Sequence, residues 1–248
     1  MLHGLSLRQT AKVVGFSTTT VFHLRHKVMA AWSHYEEDSE LKEEIQADET
    51  YFLLNMKGFK SNGEDRVMPR ASKKRGTASV KRGISDEQVC VLCALDTSDN
   101  IVMKIIGQGN PTIKEIQQGL GQRLIPESIL VTDSKSAYIE FSKQNNVKLI
   151  QIPSGFHTLD TYNLSSLNSL HSDIKQWFRK FRGVSTRHLQ KYLNWYRYMK
   201  RLNYTTEYQY QLFKTFRYSA SQYIEEKTQL ISKANFPIDI YRAYQSSY

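Results

Sequence analysis

The chain has 248 residues, a formal net charge of +10 and an apolar content of 40%, which suits one large domain or a medium domain with a small appendage. No stretch approaches the roughly 18 apolar residues of a membrane-spanning helix, and residues 1–15 lack the apolar core of a signal peptide. The excess of positive charge favours nucleic acid as the partner, and a merely basic surface is the alternative.

The first 32 residues predict two short helices joined by a tight turn. Ser6 is suited to cap the first helix, and Gly15 is suited to end it with a left-handed backbone. Ser17 is suited to cap a second helix that runs from about residue 18 to residue 32.

The spacing of Ala11, Gly15 and Val21 in these helices resembles the helix-turn-helix of DNA-binding proteins, whose second helix enters the major groove. A helical hairpin that only packs on the rest of the protein is the alternative. Under the first interpretation, polar side chains of the second helix contact bases and phosphates, and these are Thr18, Thr19, Thr20, His23, Arg25 and Lys27.

The central part of the chain predicts an α/β sheet, because three strands in a meander are followed by alternating helices and strands. The strands of the meander span residues 45–54, 88–95 and 100–106, and they are followed by a helix at 110–124, a strand at 128–132, a helix at 135–144 and a strand at 147–152. The only cysteines, Cys90 and Cys93, lie in the second strand. Without a second ligand pair for zinc, they are predicted to be small core residues of a protein in a reducing, cytoplasmic compartment.

Between the first two strands, residues 55–83 hold nine Lys or Arg and two acidic residues without apolar periodicity. The pattern predicts a basic loop or a long hairpin connection, which suits a polyanionic substrate or serves only as a solubilising insertion. The basic residues expected to contact DNA are Lys73, Lys74, Arg75, Lys81 and Arg82.

Two aspartates stand out in this sheet. Asp48 interrupts the first strand, IQADETYF, and Asp133 follows the apolar run ILVT at the carboxyl end of a strand, where ligands bind in open α/β sheets. If these strands are neighbours, the two carboxylates meet on one side of the sheet and need a cation to offset their repulsion, for which Mg²⁺ is the usual choice near phosphate. For each aspartate alone, a strand-end or turn position is the alternative.

A third metal ligand is expected on the amphipathic helix predicted at residues 164–183. Asn168, His171 and Lys175 are spaced three and four apart and share one face, whereas Asp173 points away from it. An amide carbonyl is an acceptable ligand for a hard cation, and an imidazole is softer than Mg²⁺ prefers.

Three segments resemble bacterial insertion-sequence transposases with an RNase H-like DDE catalytic domain. They are ADETYF, VTDSKSAY and residues 167–198, LNSLHSDIKQWFRKFRGVSTRHLQKYLNWYRY, and the resemblance covers roughly residues 6–200. In this family the third ligand follows the second acid by about 35 residues, a basic residue follows seven positions later, and some members carry Asn in place of Glu. Asn168 and Lys175 match these positions.

The resemblance implies an RNase H-like mixed sheet flanked by helices, and a transposase that binds transposon ends and cleaves and joins DNA by phosphoryl transfer. It implies two Mg²⁺ or Mn²⁺ ions held by Asp48, Asp133 and Asn168, with Lys175 holding a phosphate. His171 is the alternative third ligand, and if Asn168 is the ligand, His171 is expected to orient a phosphate or a metal-bound water. DNA is the implied partner, in a homo-oligomer without membrane attachment, in the bacterial cytoplasm and associated with the nucleoid. The alternatives are an RNase H-like nuclease or resolvase without strand transfer, and an inactive transposase that only binds DNA.

The resemblance also implies a domain division. Residues 1–34 form the helix-turn-helix segment, 35–205 the catalytic domain with a basic insertion loop at 55–85, and 206–248 a helical tail.

Residues 165–203 hold nine Lys or Arg and one acidic residue, and the outer ones are expected to contact phosphates, namely Arg179, Lys180 and Arg182. Relatives carry a zinc ribbon before the helix-turn-helix, so an N-terminally truncated copy or a misassigned start is expected here.

Overall fold

The computed structural model describes residues 4–31, 40–59, 68–69, 83–203, 231 and 234–244. Its strands are β1 (Glu44–Leu53), β2 (Gln88–Asp96), β3 (Ile101–Gln108), β4 (Ile129–Asp133), β5 (Lys148–Ile152) and the short pair β6 (Thr158–Leu159) and β7 (Tyr162–Asn163). Its helices are α1 (Leu7–Val14), α2 (Thr18–Ala31), α3 (Ile113–Leu120), α4 (Ala137–Gln144), α5 (Ser165–Arg179) and α6 (Leu189–Asn203).

The described strands form one five-stranded mixed sheet in the order β3–β2–β1–β4–β5, beside the two-stranded pair β6–β7. The meander β1–β2–β3 is antiparallel, and β4 and β5 run parallel to β1. This is the α/β mixed sheet flanked by helices that the sequence predicted. The helix predicted at 110–124 is shorter than expected, because the capping box of Thr112 and Glu115 starts it late and a 3₁₀ turn at Gly121–Arg123 ends it early.

Each face of the sheet packs on its own helices, so β2 is buried on both sides. On one face, Ala47 of β1 packs with Ile116 of α3 and Phe141 of α4. On the other face, α5 and α6 cover the sheet with Trp177 and Trp195. Because side chains of a strand alternate between faces, the residues of β1 on either side of Ala47 point towards α5.

The first two helices have the local structure that the sequence predicted. Ser6 caps α1 in a capping box with Gln9, and Gly15 ends it in the left-handed region with φ 73°. Ser17 accepts a hydrogen bond from the backbone N–H of Thr20 at 3.1 Å, which caps α2.

Cys90 and Cys93 are both buried and free, as expected of core residues. None of the described helices is both long enough and apolar enough to cross a membrane.

Candidate active site

Asp48 and Asp133 lie on adjacent parallel strands at the same height. Gln46 of β1 is opposite Val131 of β4, and each aspartate lies two residues further along its strand. A step of two residues keeps a side chain on the same face, so both carboxylates point to the same side. The structure therefore brings the two predicted acids together at the carboxyl end of β4.

One lysine joins these two acids. The Nζ atom of Lys135 lies 3.0 Å from Oδ1 of Asp48 and 3.3 Å from Oδ2 of Asp133. The same Nζ also forms an ion pair with Glu49, and the backbone N–H of Lys135 donates to Oδ1 of Asp133 at 3.2 Å. Burial disfavours the ammonium, but Asp48 and Glu49 together outweigh that effect, so that the pKa of Lys135 is raised above its ordinary value.

Glu49 forms the buried side of this cluster. Its side chain is fully buried, whereas those of Asp48 and Asp133 are 22% and 38% exposed. The hydroxyl of Tyr138 on α4 donates to Oε1 of Glu49 at 2.7 Å. Burial raises the pKa of Glu49, and the neighbouring Lys135 and Tyr138 offset part of that rise. A buried carboxylate is tolerated here because both of its oxygens have a donor.

Helix α5 packs over β1 on the face of the sheet to which Asp48 points. The backbone N–H of Leu167 donates to Oε1 of Gln46 at 3.1 Å, which fixes the start of α5 above β1. His171 is half-buried, and its Nε2 is buried without a hydrogen-bond partner. Burial lowers the pKa of His171, while the charge of nearby Asp48 acts in the opposite direction.

The three polar residues that were predicted to share a face of α5 differ in exposure. His171 lies within the electrostatic reach of Asp48, whereas Asn168 is exposed one turn earlier. Lys175 is exposed one turn later, and its charge acts on His171. Asp173 was expected to point away, and its Oδ2 pairs with Nζ of Lys200 on α6 at 2.7 Å. Within the described residues, no group of three or more His, Cys, Asp or Glu side chains is arranged to hold a metal ion.

Sequence reasoning missed Lys135, Glu49 and Tyr138. Lys135 and Tyr138 lie in the segment VTDSKSAY and Glu49 in ADETYF, so all three were in view. A carboxylate directly after Asp48 was a visible signal, but the alternation of a strand sends Glu49 to the opposite face. Lys135 lies in the turn beyond the end of β4, and from there its long side chain reaches Asp48 on one face of the sheet and Glu49 on the other.

Apart from Arg25, the residues predicted to contact DNA fall into three groups. Thr18, Thr19, Thr20 and Lys27 are exposed on α2, and Arg179, Lys180 and Arg182 are exposed at and beyond the end of α5. His23 is half-buried beside Phe22. Lys73, Lys74, Arg75, Lys81 and Arg82 lie outside the described residues.

Arg25 requires a correction, because the structure buries it. Its side chain is 3% exposed, and Nη2 donates to the carbonyl oxygen of Leu5 and to Oγ1 of Thr10, each at 2.8 Å. The guanidinium also lies 5.1 Å from the ring centroid of Trp195 on α6. Arg25 therefore ties α1 and α2 to α6 and does not face outward to DNA.

We expect Arg25→Met to lower the free energy of unfolding by about 1–3 kcal/mol, because it leaves the partly buried acceptors of Leu5 and Thr10 without their donor. It should leave the salt dependence of DNA affinity unchanged. The matched variant Lys27→Met removes an exposed charge from the same helix, and it should reduce the slope of log affinity against log salt by about 1 without changing stability. Urea unfolding and binding titrations at several salt concentrations check both. A reduced salt slope for Arg25→Met with unchanged stability would show that Arg25 reaches DNA.

Residues 40–201 match the family of ISXO2-like transposase domains. The chain belongs to this family. The match covers all three segments that carried the resemblance in the sequence. These are ADETYF with Asp48, VTDSKSAY with Asp133, and residues 167–198. The family makes the chain a DNA transposase, an enzyme of the polynucleotidyl-transferase type whose partner is DNA.

The transposase also matches solved structures at low similarity. The Mos1 strand transfer complex is 13% identical with a TM-score of 0.35, covering 87% of this chain and 71% of that one. The Mos1 transposase paired-end complex with the left transposon end is 12% identical with a TM-score of 0.33, covering 93% and 75%. The Mos1 mariner paired-end complex with Mn is 14% identical with a TM-score of 0.25, covering 89% and 75%. No curated protein matches the sequence significantly. The family assignment rests on the family match alone.

Proposed function

We propose that this transposase cleaves DNA at the ends of its insertion sequence and joins them to target DNA, with Asp48 and Asp133 as ligands of divalent metal ions. The observation that carries the proposal is the meeting of these two carboxylates at one ammonium group, 3.0 and 3.3 Å away. Carboxylates this close repel each other unless a cation lies between them, and metal ions play that part beside a reacting phosphate.

The donor set fits Mg²⁺ or Mn²⁺. Hard divalent cations prefer oxygen ligands, and Asp48 and Asp133 present carboxylate oxygens that stay partly open to solvent. The ammonium of Lys135 stands in for a cation at this position, and its contacts support the idea that both side chains reach a single positive group. The amide oxygen of Asn168 is the proposed third ligand. When bound, the ions would stabilise charge on the phosphoryl oxygens and lower the pKa of the attacking water or hydroxyl.

Other side chains of α5 would position the DNA. Burial lowers the pKa of His171, which favours the neutral imidazole, and in this form the ring would orient a phosphate or a water by hydrogen bonding. Lys175 is exposed one turn further and would hold a phosphate as a point charge. Arg179, Lys180 and Arg182 continue this positive surface and would contact phosphates further along the DNA.

The assembly and location are also part of the proposal. Joining a transposon requires that its two ends are held together, so the active form is proposed to be a homo-oligomer that carries one end on each subunit. Because its substrate is DNA, the enzyme is proposed to act in the bacterial cytoplasm, in association with the nucleoid. We propose that α1 and α2 act as a helix-turn-helix and bind the ends through the exposed Thr18, Thr19, Thr20 and Lys27 of α2.

A strand-transfer assay tests the proposed reaction. We expect a labelled duplex that ends in the inverted repeat flanking the reading frame, with a free 3′-hydroxyl, to become joined to target plasmid in the presence of Mg²⁺ or Mn²⁺. A duplex with a scrambled terminus is the control and should stay unjoined. Cleavage without joining would favour a nuclease or resolvase, and binding without either reaction would favour an inactive DNA-binding protein.

A further inference from the structure

Lys135 has a fixed backbone and a long side chain that reaches the candidate metal site. Its carbonyl oxygen accepts a hydrogen bond from Nε2 of Gln151 on β5 at 2.9 Å, and the same amide donates to the carbonyl oxygen of Asp133 at 3.0 Å. Ser134, between them, donates to the carbonyl oxygen of Ile152 at 2.9 Å. These bonds fasten the turn after β4 to β5, so that any movement of the ammonium comes from the side chain alone.

The three acids around Nζ of Lys135 differ in their access to solvent. Asp48 and Asp133 form the open side, where a metal ion and DNA phosphates can approach. Glu49 forms the closed side, where its fully buried carboxylate also accepts from Tyr138. An unpaired buried charge is costly, so the ammonium is expected to stay with Glu49, whereas the two more exposed aspartates can exchange their cation.

On the basis of the proposed function, we infer that Lys135 is a built-in counter-ion: without metal its ammonium bridges Asp48, Asp133 and Glu49, and when a divalent ion binds between the two aspartates it keeps only its contact with Glu49. A lysine is suited to this because its ammonium is a compact point charge on a flexible four-carbon stem. A divalent ion and the ammonium cannot share the position, because Mg²⁺ binds carboxylate oxygens at about 2.0–2.1 Å in a strict geometry.

Two consequences of opposite sign follow for the affinity of the free protein for metal. Removing the ammonium by Lys135→Met removes the competitor, so metal should bind more tightly. Removing the buried charge by Glu49→Gln removes the place to which the ammonium withdraws, so metal should bind more weakly. If Lys135 instead serves only to hold the aspartates in place, Lys135→Met should weaken metal binding, because the two carboxylates would then repel each other apart.

The test is isothermal titration of Mn²⁺ alone into the full chain without DNA. We expect Lys135→Met to bind Mn²⁺ at least about fivefold more tightly than the unaltered protein, since a unit charge a few ångströms away changes affinity by that factor even in water. The control Lys143→Met removes the same charge from an exposed position on α4 and should leave the affinity unchanged. Unchanged or weaker Mn²⁺ binding by Lys135→Met would overturn the inference.

Lys135→Met leaves the buried charge of Glu49 without its cation, and the variant is therefore at risk of folding poorly. A double-mutant cycle keeps the test valid in that case. In Glu49→Gln/Lys135→Met no buried charge remains, and Mn²⁺ should still bind more tightly than to Glu49→Gln alone. The effect of Glu49→Gln should largely vanish in the Lys135→Met background, because it acts through the ammonium. An equal effect in both backgrounds would overturn the inference.

Asp48→Asn should abolish Mn²⁺ binding. Failure of the unaltered protein to bind Mn²⁺ at all would instead overturn the proposed metal site.

Discussion

Replacing either aspartate with the isosteric asparagine is expected to lower the rate of metal-dependent DNA cleavage by about 10³-fold or more. A metal ion contributes several kcal/mol to a phosphoryl-transfer transition state, and each 1.4 kcal/mol corresponds to a factor of ten in rate. Asp48→Asn and Asp133→Asn each remove one of the two carboxylates that meet at Nζ of Lys135. The measurement is single-turnover cleavage of end DNA in Mg²⁺ and in Mn²⁺.

Asp173→Asn is the matched control for this loss of a carboxylate. Asp173 lies on α5, is 44% exposed and pairs with Lys200 away from the two aspartates. An exposed ion pair contributes little to stability, so Asp173→Asn should cleave at nearly the unaltered rate. All three variants should bind end DNA with nearly unaltered affinity in gel-shift titrations, because phosphate contacts from basic residues dominate that affinity. Normal cleavage by Asp48→Asn or Asp133→Asn would contradict the proposed metal site.

The sheet and the meeting of the two acids could be predicted from the sequence because both depend on short-range regularities. The alternation of a strand fixes which residues share a face, and the end of an apolar run marks where a strand stops. Asp48 in the first strand and Asp133 at the end of the fourth are read directly from such patterns. The one missing premise was that β1 and β4 are neighbours, and that is a property of the sheet order.

Burial of polar side chains could not be predicted in the same way, because it depends on partners that are distant in the chain. Arg25 is polar and lies on the second helix of a helix-turn-helix pattern, which favours a DNA contact. Arg25 is buried because α2 packs against α6, where its guanidinium lies over the ring of Trp195. No local sequence pattern indicates this contact between α2 and α6. Lys135 is a similar case, since its role depends on Glu49, which lies 86 residues earlier in the chain and also accepts a hydrogen bond from Tyr138.

The choice of third ligand on α5 gives the last prediction. We expect Asn168→Ala to reduce cleavage by about 10²-fold, as loss of one positioned ligand or donor in a site of this kind does, and Asn168→Asp to retain activity by restoring an oxygen ligand and adding a charge. His171→Ala should reduce the rate by only about 10-fold, as expected of a residue that orients the reacting groups. Cleavage rates across a Mg²⁺ titration measure both effects, and Asn168→Asp should reach half-maximal rate at lower Mg²⁺ than the unaltered protein.

The exposed position of Asn168 and the half-buried position of His171 make this a sharp comparison. The amide of Asn168 is exposed to solvent, whereas His171 already lies in the field of Asp48 with its Nε2 unpartnered. If His171→Ala abolishes cleavage while Asn168→Ala has little effect, His171 is the ligand and the helix presents to the metal the face one turn further along. Asn168→Asp would then leave the Mg²⁺ dependence unchanged, which separates the two assignments in a second, independent measurement.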